Sequence, residues 1–242
     1  MEEARRRTLH GRRRGKKLRA GQQSLLDTLL PRLEVALPAE PIVTPDNEVA
    51  ESAAKIDLAR LFGGALPPDG VWLEVGFGAG EHLVWQAEQH PNVGLIGCEP
   101  YINGVAKCLA HIERTGVSNV RLFTDDARFV MQALPPRSLS RAFVLFPDPW
   151  PKTRHHKRRF VQRSNLDVLA RLMKQGAELR LATDDPSYLP WMVEHACRHD
   201  DFEWLAEGPA DWRARPADWP ATRYEQKMLA GHKPVFLRLR RR

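Results

Sequence analysis

The sequence predicts an α/β fold: a mostly parallel, seven-stranded sheet with helices on both faces, preceded by a basic, flexible N-terminal arm. Three observations lead there. From Val71 onward, short apolar runs of strand length alternate with stretches of helical periodicity. Five such strand–helix units follow one another, and successive parallel strands need a crossover of that kind between them. The basic residues are instead gathered at the start of the chain. Within residues 1–20, Arg5, Arg6, Arg7, Arg12, Arg13, Arg14, Lys16, Lys17 and Arg19 meet only Glu2 and Glu3, which accounts for the whole net charge of +7.

Residues 1–48 mix these cations with Pro31, Pro38, Pro41 and Pro45, so a largely irregular extension is expected there and a folded domain over 49–242. Residues 49–62 place Val49, Ala53, Ile56, Ala59 and Leu61 near helical spacing, which predicts an amphipathic helix ended by Gly63-Gly64 and Pro67-Pro68. Strands are predicted at 71–75, 93–98, 120–123, 141–146 and 178–182. Helices follow at 81–89, 102–114, 127–134, 160–174 and 187–198. Two final strands, 202–206 and 235–239, complete the seven.

A hydrophobic fraction of 43% and a charged fraction of 28% are those of a soluble globular protein. No stretch approaches the roughly 18 apolar residues of a spanning helix, so no membrane partner is expected. No apolar run follows the basic start, which argues against a secretory signal. Cys98, Cys108 and Cys197 are odd in number and widely spaced, matching neither a disulfide framework nor a metal knuckle. His155-His156 has no further ligand at metal spacing, so no metal is expected. A cytoplasmic setting is the simplest expectation. Monomer and homodimer both remain open.

In sheets of this kind, ligands bind beyond the carboxyl ends of the strands. The first tip carries Glu74 and the glycines Gly76, Gly78 and Gly80. Glycines let the chain turn tightly and approach a ligand closely. Their spacing is GxGxG, not the GxGxxG that fits a pyrophosphate. Glu74 would repel a pyrophosphate and attract a cation, which favours a positively charged cofactor over NAD. Glu99 ends the second strand, where a carboxylate can accept ribose hydroxyls. Asp125 and Asp126 end the third; either can meet an adenine amino group or cap the next helix. The fourth tip is Phe146-Pro147-Asp148-Pro149-Trp150, a rigid acid beside an aromatic on which a base can stack. Lys152, Arg154, His155, His156, Lys157, Arg158, Arg159 and Arg163 follow with no acid among them, a pattern suited to phosphates.

These residues resemble a known family. GRRRGKKLRAGQQ at 11–23, LEVGFGAG at 73–80, GCEP at 97–100, FPDPWPK at 146–152, HHKRRFVQ at 155–162, ATD at 182–184 and TRYE at 222–225 are similar to the bacterial tRNA (guanine-N7-)-methyltransferases. The motifs fall in order over nearly the whole chain. The resemblance implies a Rossmann-like class I methyltransferase fold, S-adenosyl-L-methionine as cofactor and tRNA as partner. It implies methylation of the guanosine at position 46, in the variable loop. It casts Glu74, Glu99, Asp126 and Asp148 as cofactor contacts, with Asp148 also as the active-site residue. It casts Lys152, Asp184, Thr222, Arg223, Tyr224 and Glu225 as substrate contacts, and it favours Asp126 over Asp125 because Ala127 follows. The main rival is an amino-methyltransferase acting on adenine or cytosine in RNA or DNA, which also places an acid or amide, prolines and an aromatic at the fourth tip. A non-enzymatic RNA-binding module is opposed by the intact glycine turn, Glu99 and Asp148.

Overall fold

The computed structural model describes residues 7–220, Glu225 and residues 232–242. Five strands run parallel: β1 (Val71–Val75), β2 (Gly94–Cys98), β3 (Val120–Phe123), β4 (Leu139–Leu145) and β5 (Met173–Thr183). β6 (Phe202–Trp204) and β7 (Val235–Arg241) complete a seven-stranded sheet ordered β3-β2-β1-β4-β5-β7-β6. β7 lies antiparallel between β5 and β6. The order reverses between β1 and β4, and in such sheets a crevice opens where the strand order turns.

Alternation along each strand explains the two cores. Successive strand residues point to opposite faces. Leu73, Ile96, Val144 and Leu181 join α6 (Ala127–Ala133), α7 (Arg163–Leu172) and Tyr188 of α8 (Tyr188–Met192) on one face. Trp72, Leu95, Phe143 and Ala182 join α4 (Glu81–Gln89) and α5 (Ile102–Thr115) on the other. A π-helical turn, Val193–Cys197, prolongs α8, and a short helix, Ala210–Arg213, precedes β7.

β5 begins at Met173, five residues before the predicted strand and inside the helix expected to run to 174, and two further stretches differ more deeply from the sequence reading. Residues 49–62 do not form a helix over their length. Only α3 (Leu58–Leu61) is helical, capped by Asp57, whose Oδ1 accepts from the Arg60 N–H at 3.0 Å. The preceding chain lies against the end of α6, with the Ile56 N–H donating to the Ala133 carbonyl at 2.8 Å and the Ser52 N–H to the Gln132 carbonyl at 3.1 Å. Val49 and Ile56 are buried without a helix, and Leu58 within the single helical turn.

The N-terminal extension, expected to be irregular, forms α1 (Ala20–Thr28) and α2 (Leu30–Leu33), and it packs on the domain. Leu25, Leu33 and Val35 are buried, and the Val35 N–H donates to the Leu122 carbonyl at 2.8 Å, covering the β3 edge. Residues 7–19 run extended across the domain. The Ile102 N–H donates to the Arg13 carbonyl at 3.0 Å, and Asn103 bonds Gly15 and Lys16 at 2.7 Å each.

Candidate active site

The carboxyl ends of β1, β2, β3 and β4 surround a cleft of about 1040 Å³ that includes Glu74, Gly76, Gly78, Glu99, Asp126 and Asp148 in its walls. A second cavity of about 530 Å³ lies between the arm and the fourth tip. Asp148, Trp150, His10 and Arg158 border both.

The glycine turn is left-handed at three positions, with φ of 75° at Gly76, 57° at Gly78 and 76° at Gly80. No heavy atom lies within 4 Å of a Cβ built at Gly76 or Gly78, so these two face open space. Gly80 does not line the cleft. A Cβ there would clash with Cys108 Sγ, so its task is to let α4 begin hard against α5.

Glu99 stitches the first two tips together. Its Oε2 accepts from the Gly78 N–H and its Oε1 from the Tyr101 N–H, each at 2.8 Å. Burial pushes the Glu99 carboxyl up to about 6, against the pull of those two N–H groups, with Asp148 and Glu74 adding to the rise. Asp126 caps α6 and is ringed by cations: Arg7 Nε donates to Oδ2 at 2.7 Å and Arg128 Nη1 to Oδ1 at 3.1 Å. Burial works to raise its pKa, but Arg128 and Arg7 outweigh it and hold the carboxyl below its usual range. Asp125 is paired with Arg13. The arm therefore reaches the acids of the third tip, a contact invisible in the sequence because it spans more than a hundred residues.

The fourth tip is set by backbone and by one buried cation. Phe146 and Trp150 hold φ of 50° and 44°, so both ends of Pro147-Asp148-Pro149 turn through left-handed positions. Asp148 stays open to solvent, and partial enclosure by the cleft wall raises its pKa. Arg158 lies over the Trp150 ring at 5.1 Å, and His10 meets the same ring edge-on at 6.3 Å. Partial burial, then Arg158, Arg7 and Lys157, hold His10 below the usual histidine range.

The basic run after the tip divides. Lys152, Arg154 and Lys157 are exposed. Arg159 is 1% exposed and donates from Nε to the Pro149 carbonyl at 2.7 Å and from Nη2 to Ser187 Oγ at 3.1 Å. It sits 4.8 Å from the Tyr188 ring and 5.0 Å from the Trp191 ring. It is thus a strut beneath the tip, not a surface cation. Arg163 is exposed but pairs with Asp200 at 2.8 Å.

Of the remaining predicted residues, Lys152, Asp184 and Glu225 line neither cavity. Asp184 is buried at the end of β5, and Glu225 is buried with Arg215 Nε donating to it at 2.8 Å. Thr222, Arg223 and Tyr224 lie outside the described residues. Sequence reasoning missed His10, Arg7 and His82. The last two carry a faint signal: an arginine beside the first motif, and a His82/Gln86 pair at helical spacing on an otherwise apolar face.

A family model for methyltransferases (Methyltransf_4) matches residues 69–237. The tRNA (guanine-N(7)-)-methyltransferase of Rhodospirillum rubrum is 51% identical over 96% of this chain and 87% of its own. The chain belongs to the tRNA (guanine-N7-)-methyltransferase family. The Paramagnetospirillum magneticum member is also 51% identical, over 96% of this chain and 92% of its own. The fold is shared with more distant methyltransferases. TrmN from Thermus thermophilus matches with a TM-score of 0.51 at 17% identity, over 76% of this chain and 47% of that one. An rRNA methylase from Streptococcus thermophilus matches at 0.50 and 12%, over 73% and 89%. Among the described residues no helix is long and apolar enough to cross a membrane, and no group of three or more His, Cys, Asp or Glu is placed to hold a metal ion.

Proposed function

We propose that the chain transfers a methyl group from S-adenosylmethionine to N7 of a tRNA guanosine, forming 7-methylguanosine, and does so in the cytoplasm. The observation that carries the reading is the position of Asp148, beside Trp150, on the wall shared by two cavities, of which one is lined by the glycine turn. The donor set suits the cofactor. Gly76 and Gly78 leave a cradle that a Cβ would fill, and Glu74, Glu99 and Asp148 surround it with negative charge. The cofactor supplies a methyl group activated on a positive sulfur.

Every other task falls to the chain. Glu74 attracts the positively charged end of the cofactor, and Glu99 accepts its ribose hydroxyls. Asp126 can meet the adenine amino group once Arg7 releases Oδ2. The guanine stacks on Trp150, worth ~1–3 kcal/mol. Guanine N7 displays an in-plane lone pair, so no residue has to deprotonate it. Asp148 instead orients the base and stabilises the positive charge that develops on it. Lys152, Arg154 and Lys157 hold phosphates, and Asp184 and residues 222–225 contact the tRNA around the base.

Incubation with unmodified tRNA and labelled cofactor, followed by nucleoside mass spectrometry, tests this. The label is expected in 7-methylguanosine. Its appearance in an exocyclic amine of adenosine or cytidine would overturn the N7 assignment.

Glu99 makes the site pH-dependent. Only the carboxylate accepts both ribose hydroxyls while holding both N–H groups. Cofactor affinity measured by calorimetry is therefore expected to be constant well above pH 6 and to fall as the pH drops through about 6. The unliganded fold moves the other way. Because the folded value is raised, Glu99 contributes stability that is fully present below its ordinary value of 4.5 and is lost as the pH rises through about 6. A cofactor affinity flat down to pH 5 would remove Glu99 from the ribose site.

A further inference from the structure

A buried polar chain runs beneath the glycine turn. Glu74 is 3% exposed, His82 2% and Gln86 0%. His82 Nδ1 lies 2.7 Å from Glu74 Oε2, and Gln86 Nε2 lies 3.1 Å from His82 Nε2 and 2.9 Å from the Asp218 carbonyl oxygen. Protons can be assigned along it from hydrogen-bonding capacity alone. A backbone carbonyl only accepts, so the Gln86 atom facing Asp218 must be the amide nitrogen. The second N–H of that nitrogen then points at His82 Nε2, which must accept. His82 therefore carries its proton on Nδ1 and donates it to Glu74. Gln86 Oε1 is left buried without a partner among the described residues, a cost offset by the use of both N–H groups, which hold the amide in this orientation.

The far end of the chain is anchored as firmly. Arg180 donates to both carboxylate oxygens of Asp218, at 2.9 and 2.7 Å. The next residue, Trp219, is buried, and its ring packs 5.3 Å from His82 and 5.2 Å from Phe236. Phe143 closes the other side of the imidazole at 4.8 Å. Residues 218–219 lead directly into the Thr222–Glu225 tetrad.

We propose that His82 is a positioning residue that couples the two substrates: its Nδ1 fixes the Glu74 carboxylate toward the cofactor, and its Nε2, through Gln86, ties that carboxylate to the segment carrying the tRNA-contacting tetrad. The proposal rests on the roles assigned above to Glu74 and residues 222–225. Glu74 Oε2 is taken by His82, which leaves Oε1 for the cofactor. A shift of 218–219 on tRNA docking is passed through Gln86 to the imidazole and from the imidazole to Glu74. Such coupling is reciprocal, so each ligand strengthens the binding of the other.

The two ring nitrogens allow the functions to be separated. In His82→Asn the amide nitrogen takes the place of Nδ1, keeping the donor to Glu74 and losing Gln86. Gln86→Leu cuts the same tie from the other side. His82→Phe loses both. The measurement is the affinity for S-adenosylhomocysteine by calorimetry on the full chain, with and without saturating tRNA, with thermal melts as the folding control. In the wild type, tRNA is expected to tighten binding about fivefold or more. In His82→Asn and Gln86→Leu, affinity without tRNA is expected within about threefold of wild type, and tRNA no longer improves it. In His82→Phe, affinity without tRNA is expected to fall about tenfold, from loss of a hydrogen bond to a charged group.

An undiminished tRNA effect in both His82→Asn and Gln86→Leu overturns the proposal, as does a wild type indifferent to tRNA. A wild type that does not bind S-adenosylhomocysteine at all would instead overturn the cofactor reading beneath it. Should His82→Phe fail to fold, the other two variants decide.

Discussion

Replacing Asp148 by asparagine is expected to lower turnover about 10²- to 10³-fold, with cofactor affinity within about twofold of wild type. The substitution keeps the shape, removes one negative charge and turns one acceptor oxygen into an N–H donor. Among the described residues no donor is hydrogen-bonded to Asp148, and its carboxyl is open to solvent on the wall between the two cavities. Its charge is therefore available to a base held against Trp150. Methyl transfer moves positive charge onto the purine, and a fixed anion facing that ring is stronger in the transition state than in the ground state. In the site proposed above Glu74 and Glu99 hold the cofactor, so its affinity is expected to change little. Single-turnover rates with saturating tRNA and cofactor measure the effect. Unchanged turnover in the asparagine variant would sink the electrostatic role.

The second large effect is expected at Arg159, which touches no ligand. Arg159→Ala should cost about 2–4 kcal/mol of stability, since it removes a charged hydrogen-bond donor and two ring contacts from a buried site. The Pro149 carbonyl loses its partner, and the cavity left between Tyr188 and Trp191 lets the tip relax. Turnover should fall with it, because Asp148 and Trp150 are aimed from that tip. Arg159→Lys should rescue little, since an ammonium cannot span Pro149 and Ser187 while lying flat between two rings. A thermal melt and a turnover measurement on the same preparation check both points. Wild-type values for both would show that the tip holds its shape without the strut.

These two residues also mark how far the sequence could be read. Asp148 is legible because its setting is local: two prolines, an aromatic and a basic run lie within ten residues, and each acts on its neighbours through the backbone. Arg159 looks like its neighbours in the run, and nothing local distinguishes the arginine that turns inward. Its partners Ser187, Tyr188 and Trp191 come from a different strand–helix unit.

The same division runs through the fold. Short apolar runs placed β1 to β5, and helical periodicity placed the helices between them, because both patterns are properties of the local chain. It also placed a helix over 49–62 that does not form. There the hydrogen bonds of Ile56 and Ser52 to the end of α6 satisfy the backbone in an extended path, and the same apolar residues are buried either way.

What the sequence determined by itself is the set of strand tips and the chemistry on each: the glycine turn with Glu74, then Glu99, Asp126 and Asp148. What only the tertiary structure decided is which groups those acids meet. Arg7 lies on Asp126, Gly78 is tied to Glu99, and His82 is wedged between Glu74 and the segment before the tetrad. The reason is physical. Local periodicity specifies which face of an element is buried, whereas the partner across the cleft is chosen by close packing and charge pairing between segments far apart in the chain, which no local pattern encodes.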